Sequence, residues 1–298
     1  MESVPPDHRP LLDDMRQRLI NIENKVNELL NGRRNDKPSL PNFATELVSL
    51  PNPQLQKYAR KILSLVRPRD VVGKTLVRKG RDFDGGYVML NDRLENATVY
   101  SLGISDDVSW DLDMAKLGCE VFQYDHTIER FPLDHPKFHS FKIGICERPS
   151  DNPVMKTIDE LIEINNHRDE NDIILKMDIE GGEWKVFEAM AESTLTRFSQ
   201  IILELHWITV LDDTNHLRRL ITALEKLNKT HQLIHLHANN YGRVAFVGGT
   251  LLPDSLEVAY VRKEDHTFSE CKKIFPTELD MPCNHNAADV YLGPMGQV

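Results

Sequence analysis

The chain has 298 residues, of which 40% are apolar and 28% charged, and 36 Lys and Arg stand against 46 Asp and Glu for a formal net charge of −10. That length supports one or two domains around a substantial core. The acidic balance repels polyphosphate and, with no long basic run, removes nucleic acid as a default partner.

At the amino end, Pro5, Pro6, Asp7 and Pro10 occupy positions where an export signal needs an apolar run, so a cytoplasmic protein is expected. Leu12, Met15, Leu19, Ile22, Val26 and Leu29 then alternate spacings of three and four, the pattern of a coiled-coil seam. Residues 1–37 are predicted to form an amphipathic or coiled-coil-like helix. The seam 12–29 either packs on its own domain or joins copies into a homo-oligomer. Residues 38–77 form a connector punctuated by Pro38, Pro41, Pro51 and Pro53, with a helical lead-in at LQKYARKILSLV.

Residues 78–298 read as one domain in which strands alternate with helices. Strands are expected near 98–103, 119–124, 138–143, 172–178, 200–206, 231–237 and 256–262, and helices near 108–117, 154–166, 183–192 and 214–227. The last helix carries a stripe of Leu217, Leu220, Ile221, Leu224 and Leu227 behind a cap at Asp213 or Thr214. Such alternation predicts an α/β fold with a mostly parallel sheet and an antiparallel hairpin at one edge. No segment offers about 18 unbroken apolar residues, since even IILELHWITVL contains Glu204 and His206, so no membrane span is predicted. Cys119, Cys146, Cys271 and Cys283 lack the close paired spacings of a zinc site and read as reduced thiols, although Cys271 and Cys283 could close a loop in an oxidising compartment.

The chemistry gathers at strand ends. VYSLGISDD places Gly103 at a strand exit, and EVFQYDHT places Asp125 about twenty residues later, an order that suits a nucleotide-type cofactor. IILKMDIEGG ends a strand in Asp178 and Glu180 before a helix begins at Glu183. In open α/β sheets ligands bind at this carboxyl edge. DFDGGYVML contains a turn at Gly85 and Gly86. Arg78 and Arg81 nearby read as exposed structural charges.

Taken together, RKGRDFDGGYVML (78–90), VYSLGISDDVSWDLDMAKLGCEVFQYDHT (99–127), LKMDIEGGEW (175–184), IILELHW (201–207) and HLHANNYG (235–242) resemble the FkbM-type methyltransferases. Within them they look most like the animal methyltransferase-like branch with a DGGYV segment. The resemblance covers roughly residues 78–292. It implies a class I methyltransferase (Rossmann-like) fold, S-adenosylmethionine as cofactor, and O-methylation of a hydroxyl on a small molecule or sugar. Asp84, Gly86 and Tyr87 become secondary cofactor-binding candidates because the family places this segment beside the cofactor.

On that reading Asp125 accepts the ribose hydroxyls and Gly103 lets the backbone approach the cofactor. SLGISDD departs from the usual glycine-rich loop, with one glycine followed by Ser105, Asp106 and Asp107, and Asp106 or Asp107 is the candidate for the methionine ammonium. Asp178 is expected to organise the reaction site. His206 is expected to accept the hydroxyl proton, since imidazole titrates near neutrality, with Glu180 and His237 as further catalytic candidates. Asp178, Glu204, His206 and His237 offer enough donors for a divalent ion, but their spacing is not a metal motif, and a cleft without metal is the reading adopted. A metal-dependent hydrolase and a non-catalytic cofactor-binding assembly protein are the alternatives. A nicotinamide dehydrogenase is disfavoured because no GxGxxG follows a strand.

Overall fold

The computed structural model describes residues 47–50 and 52–297, all within one unit, Ala44–Val298. The seam 12–29 and the helix expected over 1–37 lie outside the described residues. Strand β1 (Leu47–Leu50), helix α1 (Pro53–Leu65) and strand β2 (Arg69–Val71) lead into a hairpin, β3 (Leu76–Lys79) and β4 (Tyr87–Leu90). Next come β5 (Thr98–Leu102), α2 (Ser109–Lys116), β6 (Glu120–Tyr124) and β7 (Phe138–Phe141). Short β8 (Gly144–Ile145) and β9 (Met155–Lys156) precede α3 (Ile158–Ile164) and β10 (Ile173–Met177). Then follow α4 (Glu183–Ala189), α5 (Glu192–Leu195), β11 (Phe198–Leu205) and α6 (Thr214–Thr230). β12 (His231–Ala238), β13 (Val244–Val247), β14 (Thr250–Pro253), β15 (Leu256–Arg262) and β16 (Phe268–Glu270) complete the strands.

Seven of these strands form the central sheet, in the order β12-β15-β11-β10-β5-β6-β7. The pairs from β11 through β7 are parallel, whereas β15 is antiparallel to both β11 and β12. All seven expected strands are present, and the antiparallel edge is the β12–β15 pair. β15 slots between β12 and β11, so β12 is the outer strand. The order also reverses between β5 and β10: the chain runs outward through β6 and β7, then returns to the other side of β5. The crevice at such a reversal is where open α/β sheets place ligands.

Side-chain alternation sends successive strand residues to opposite faces. Tyr100, Leu102, Leu175, Met177, Ile201 and Leu203 pack on one face with Trp184, Phe187, Leu220 and Leu224 from α4 and α6. Val99, Val121, Ile174 and Ile202 pack on the other with Trp110 and Met114 of α2 and with Tyr87 and Met89 of β4. Strands covered on both sides are apolar nearly throughout, which is why they are legible as runs. Helix α1 also belongs to this body, burying Ala59, Ile62 and Leu63 in the larger core. Asp213 caps α6, accepting from the backbone N–H groups of Asn215 and His216. All four cysteines are free thiols. No helix among the described residues is long and apolar enough to cross a membrane.

Candidate active site at the strand reversal

A cleft of about 640 Å³ opens over the carboxyl ends of β5, β6, β10 and β11, a volume typical of small-molecule sites. The backbone there is unusual. Ser105, Glu180 and Trp207, just past the ends of β5, β10 and β11, have φ of 51°, 54° and 58°, a region in which each non-glycine residue costs roughly 1–3 kcal/mol. Gly103 has φ of 80°, and a Cβ there would overlap the carbonyl of Asp178. The first strand exit therefore requires glycine so that it can close against the end of β10. Asp178 N–H donates to the Leu102 carbonyl at 2.9 Å, fixing that contact.

The centre of the cleft is an imidazole among carboxylates. His206 Nδ1 lies 3.2 Å from Glu183 Oε1, and its Nε2 lies 3.5 Å from Glu204, 3.7 Å from Glu180 and 3.8 Å from Asp178. Glu183, fully buried in the first turn of α4, also accepts the Ile179 N–H at 3.0 Å, so one oxygen fixes both the turn after β10 and the ring. Burial opposes a charge on His206, but the Glu183 hydrogen bond and the charges of Glu204, Glu183 and Asp178 outweigh it and raise its pKa. Burial and the charge of Asp178 push Glu204 up as well. At neutral pH His206 is therefore an imidazolium. The protonated ring has no free lone pair, which argues against the expected role of His206 as proton acceptor.

Tyr87 reaches this group from β4. It is buried, and its O–H donates to Asp178 Oδ2 at 3.2 Å. Its ring faces Lys176 Nζ, 5.4 Å from the centroid, and that ammonium donates to the Gly103 carbonyl at 2.9 Å. Below them, Gln123 donates to Asp111 at 3.0 Å, so a buried polar layer supports the floor of the cleft.

Asp125 sits in the cleft wall with its carboxylate already engaged. Oδ2 accepts from the N–H groups of Ile104 and Ser105, and Oδ1 from the N–H and hydroxyl of Thr127. These bonds outweigh burial and lower its pKa. Four donors match the acceptor capacity of a carboxylate, so Asp125 shapes the loop after β5, and a ribose bound there would share its oxygens with these groups. Asp106 stands exposed on the rim, and Asp84 lines the cleft half-buried, its pKa raised by burial, Glu257 and Asp178.

The structure thus gathers Asp84, Tyr87, Gly103, Asp106, Asp125, Asp178, Glu180 and His206 around one cleft. It leaves out two candidates. Gly86 packs under Arg81 and Arg78. His237 is buried one strand beyond, at the sheet edge, with Glu257 on one ring nitrogen and Asp289 on the other. Sequence reasoning gave no cleft role to Lys176, Trp207 or Tyr241. The two aromatics, 49% and 62% exposed, stand at the mouth. Their only prior signal was an aromatic just beyond a strand end. Donor atoms of Asp178, Glu180 and His206 lie within 4.8 Å of one another, close enough for a cation to bridge if the imidazole gave up its proton.

Residues 90–230 match the family model described as the Methyltransferase FkbM domain. The chain is similar to the probable methyltransferase-like protein 24 of Homo sapiens, 31% identical over 38% of this chain and 34% of that protein. The Rattus norvegicus protein of the same name is 30% identical over the same shares. The match thus spans about a third of the length of these relatives. Among solved structures, a putative S-adenosylmethionine dependent methyltransferase from Listeria monocytogenes aligns over 57% of this chain and 92% of its own, at 12% identity and a TM-score of 0.35. A fibrillarin/Nop5p complex aligns over 56% of this chain and 73% of its own, at 10% identity and a TM-score of 0.36. Likenesses that distant carry no weight here.

The donor set fits the cofactor that goes with such a domain. S-adenosylmethionine carries a sulfonium and an ammonium, and Asp106, Asp178 and Glu180 give the cleft the negative potential that draws cations. Residues 90–230 are thus similar to the Methyltransferase FkbM domain, and they lie in a mostly parallel seven-stranded sheet whose cleft has the charge to receive S-adenosylmethionine.

Proposed function

We propose that this protein transfers a methyl group to a hydroxyl oxygen of a small molecule or sugar bound in the cleft. The observation that carries the reading is the pairing of Asp178 with an imidazolium at the strand reversal. The cofactor supplies an electrophilic methyl group, and the chain must align the acceptor hydroxyl and take its proton. Tyr87 holds one oxygen of Asp178, and the other, 3.8 Å from His206 Nε2, is the proton acceptor. The His206 charge steadies the oxygen that becomes more negative as its proton leaves, an electrostatic role of the kind that commonly dominates catalysis. Glu183 positions the ring, and Lys176 holds the Gly103 carbonyl and with it the loop that Asp125 shapes. Trp207 and Tyr241 provide flat apolar faces for an acceptor at the mouth.

The test has two parts. Calorimetry should detect S-adenosylmethionine and its demethylated product but not NAD, and labelled methyl from the donor should appear in an extract metabolite. With an acceptor in hand, Asp178→Asn should cut the single-turnover rate by about two orders of magnitude or more while the cofactor still binds. An unchanged rate in that variant removes Asp178 as base. Turnover lost on chelation and restored by a divalent ion would instead assign the cluster to a cation.

A further inference from the structure

The carboxyl end of β12, the neighbouring β15 and the segment after β16 meet in a second group of ionisable side chains, outside the cleft. His237 on β12 lies opposite Glu257 on β15 in the strand register, and Cys283 reaches them from the C-terminal segment. The three are 1%, 5% and 1% exposed, and one donor atom of each lies within 4.8 Å of the other two. Glu257 Oε2 is 2.8 Å from His237 Nδ1, while Oε1 is 3.4 Å from Cys283 Sγ. On the far side of the ring, His237 Nε2 is 3.0 Å from Asp289 Oδ1. A carboxylate, an imidazole and a thiol are costly to bury unless they are well compensated.

We propose that His237 Nδ1, Glu257 and Cys283 bind one zinc ion. A nitrogen, an oxygen and a sulfur donor together suit a borderline-soft divalent ion rather than magnesium or calcium, which take oxygen alone. Asp289 stands where a metal-binding histidine needs its outer partner: a carboxylate accepting the second ring N–H fixes tautomer and orientation. Loading is balanced in charge, because the ion replaces the proton on Nδ1 and the proton on Sγ, both of which leave to solvent. The ion joins two sheet strands to a segment that contains little regular structure. Asn240 reinforces the same junction, donating to the Asn284 carbonyl at 3.0 Å and accepting the Asn284 N–H at 2.6 Å.

Full-length protein loaded with zinc, desalted and assayed by elemental mass spectrometry should retain one ion per chain. Cys283→Ser and Glu257→Gln should lose it, and Cys146→Ser, a thiol away from this group, should keep it. Asp289→Asn should weaken affinity by about 10–100-fold against a chromophoric chelator. Cobalt in the unaltered protein should show a thiolate charge-transfer band, which needs no variant to fold. Chelation should lower the melting temperature. Folded protein that retains no zinc, a cobalt spectrum without the thiolate band, or equal retention in Cys283→Ser would overturn the proposal and leave a hydrogen-bonded polar cluster.

Discussion

Tyr87 and Gly103 each support Asp178 from a different side, and substitution separates what they do. Tyr87→Phe removes the hydroxyl that holds Asp178 Oδ2 and should cost about 0.5–1.5 kcal/mol of stability, with a larger loss in turnover than in cofactor affinity. Gly103→Ala forces a Cβ into the Asp178 carbonyl at a φ that only glycine adopts easily. It should destabilise the fold by at least about 2 kcal/mol in urea titrations. A Gly103→Ala protein of normal stability that merely bound the cofactor weakly would show that this residue acts through the cofactor and not through the fold. For His206 the sign of the pH effect is decisive. Its pKa is raised, so the imidazolium is present through neutrality and disappears as pH climbs through that raised value. The rate should therefore fall on the alkaline side, and His206→Ala should lose that descending limb in single-turnover measurements. A persisting limb would assign it to another group. Gly103, Asp125, Asp178 and His206 were legible because strand ends announce themselves. Their hydrogen bonds were not: Asp125 looks the same in sequence whether it faces a ribose or four donors of its own loop.

At the scale of elements, β12 shows how burial converts into acid sensitivity. His231 opens the strand fully buried, 2.9 Å from the Phe198 carbonyl through Nε2 and 2.8 Å from the Thr230 hydroxyl through Nδ1. Burial pushes its imidazole down to about 4, so the folded protein keeps it neutral while the unfolded chain takes up a proton below its ordinary 6.5. The stability it contributes is complete above about pH 6.5 and is lost as pH falls toward 4, by on the order of 3 kcal/mol at most. His231→Gln keeps a donor for Phe198 and should flatten this part of the stability–pH curve. A curve of unchanged slope would show that another group drives acid unfolding. The seven sheet strands and α6 were readable because buried runs and a helical stripe repeat along the chain. β13, which pairs with β1 on one side and β14 on the other, was not, and neither was β14, since four-residue strands leave no period to count. His237 was placed correctly at a strand end, yet nothing local says that β12 is the outer strand or that Asp289, 52 residues later, covers it.

For the whole molecule, the seam from Leu12 to Leu29 either packs on its own domain or joins copies, and self-association is the outcome proposed for test. Deleting residues 1–37 should lower the oligomeric state in light scattering and leave the melting of the remainder unchanged. A full-length chain that is monomeric at high concentration would end that proposal. The position of β15 has a different consequence, one of timing. β11 and β12 are not paired with each other in the sheet; the facing edge of each waits for β15. During synthesis on the ribosome the chain therefore holds two apolar strands with open edges until residues 256–262 emerge, the condition in which nascent proteins pair with the wrong neighbour. Any premature stop before Leu256 leaves the parallel half complete and its inner edge bare, so such a product should be met by chaperones and proteases rather than persist as a shorter enzyme.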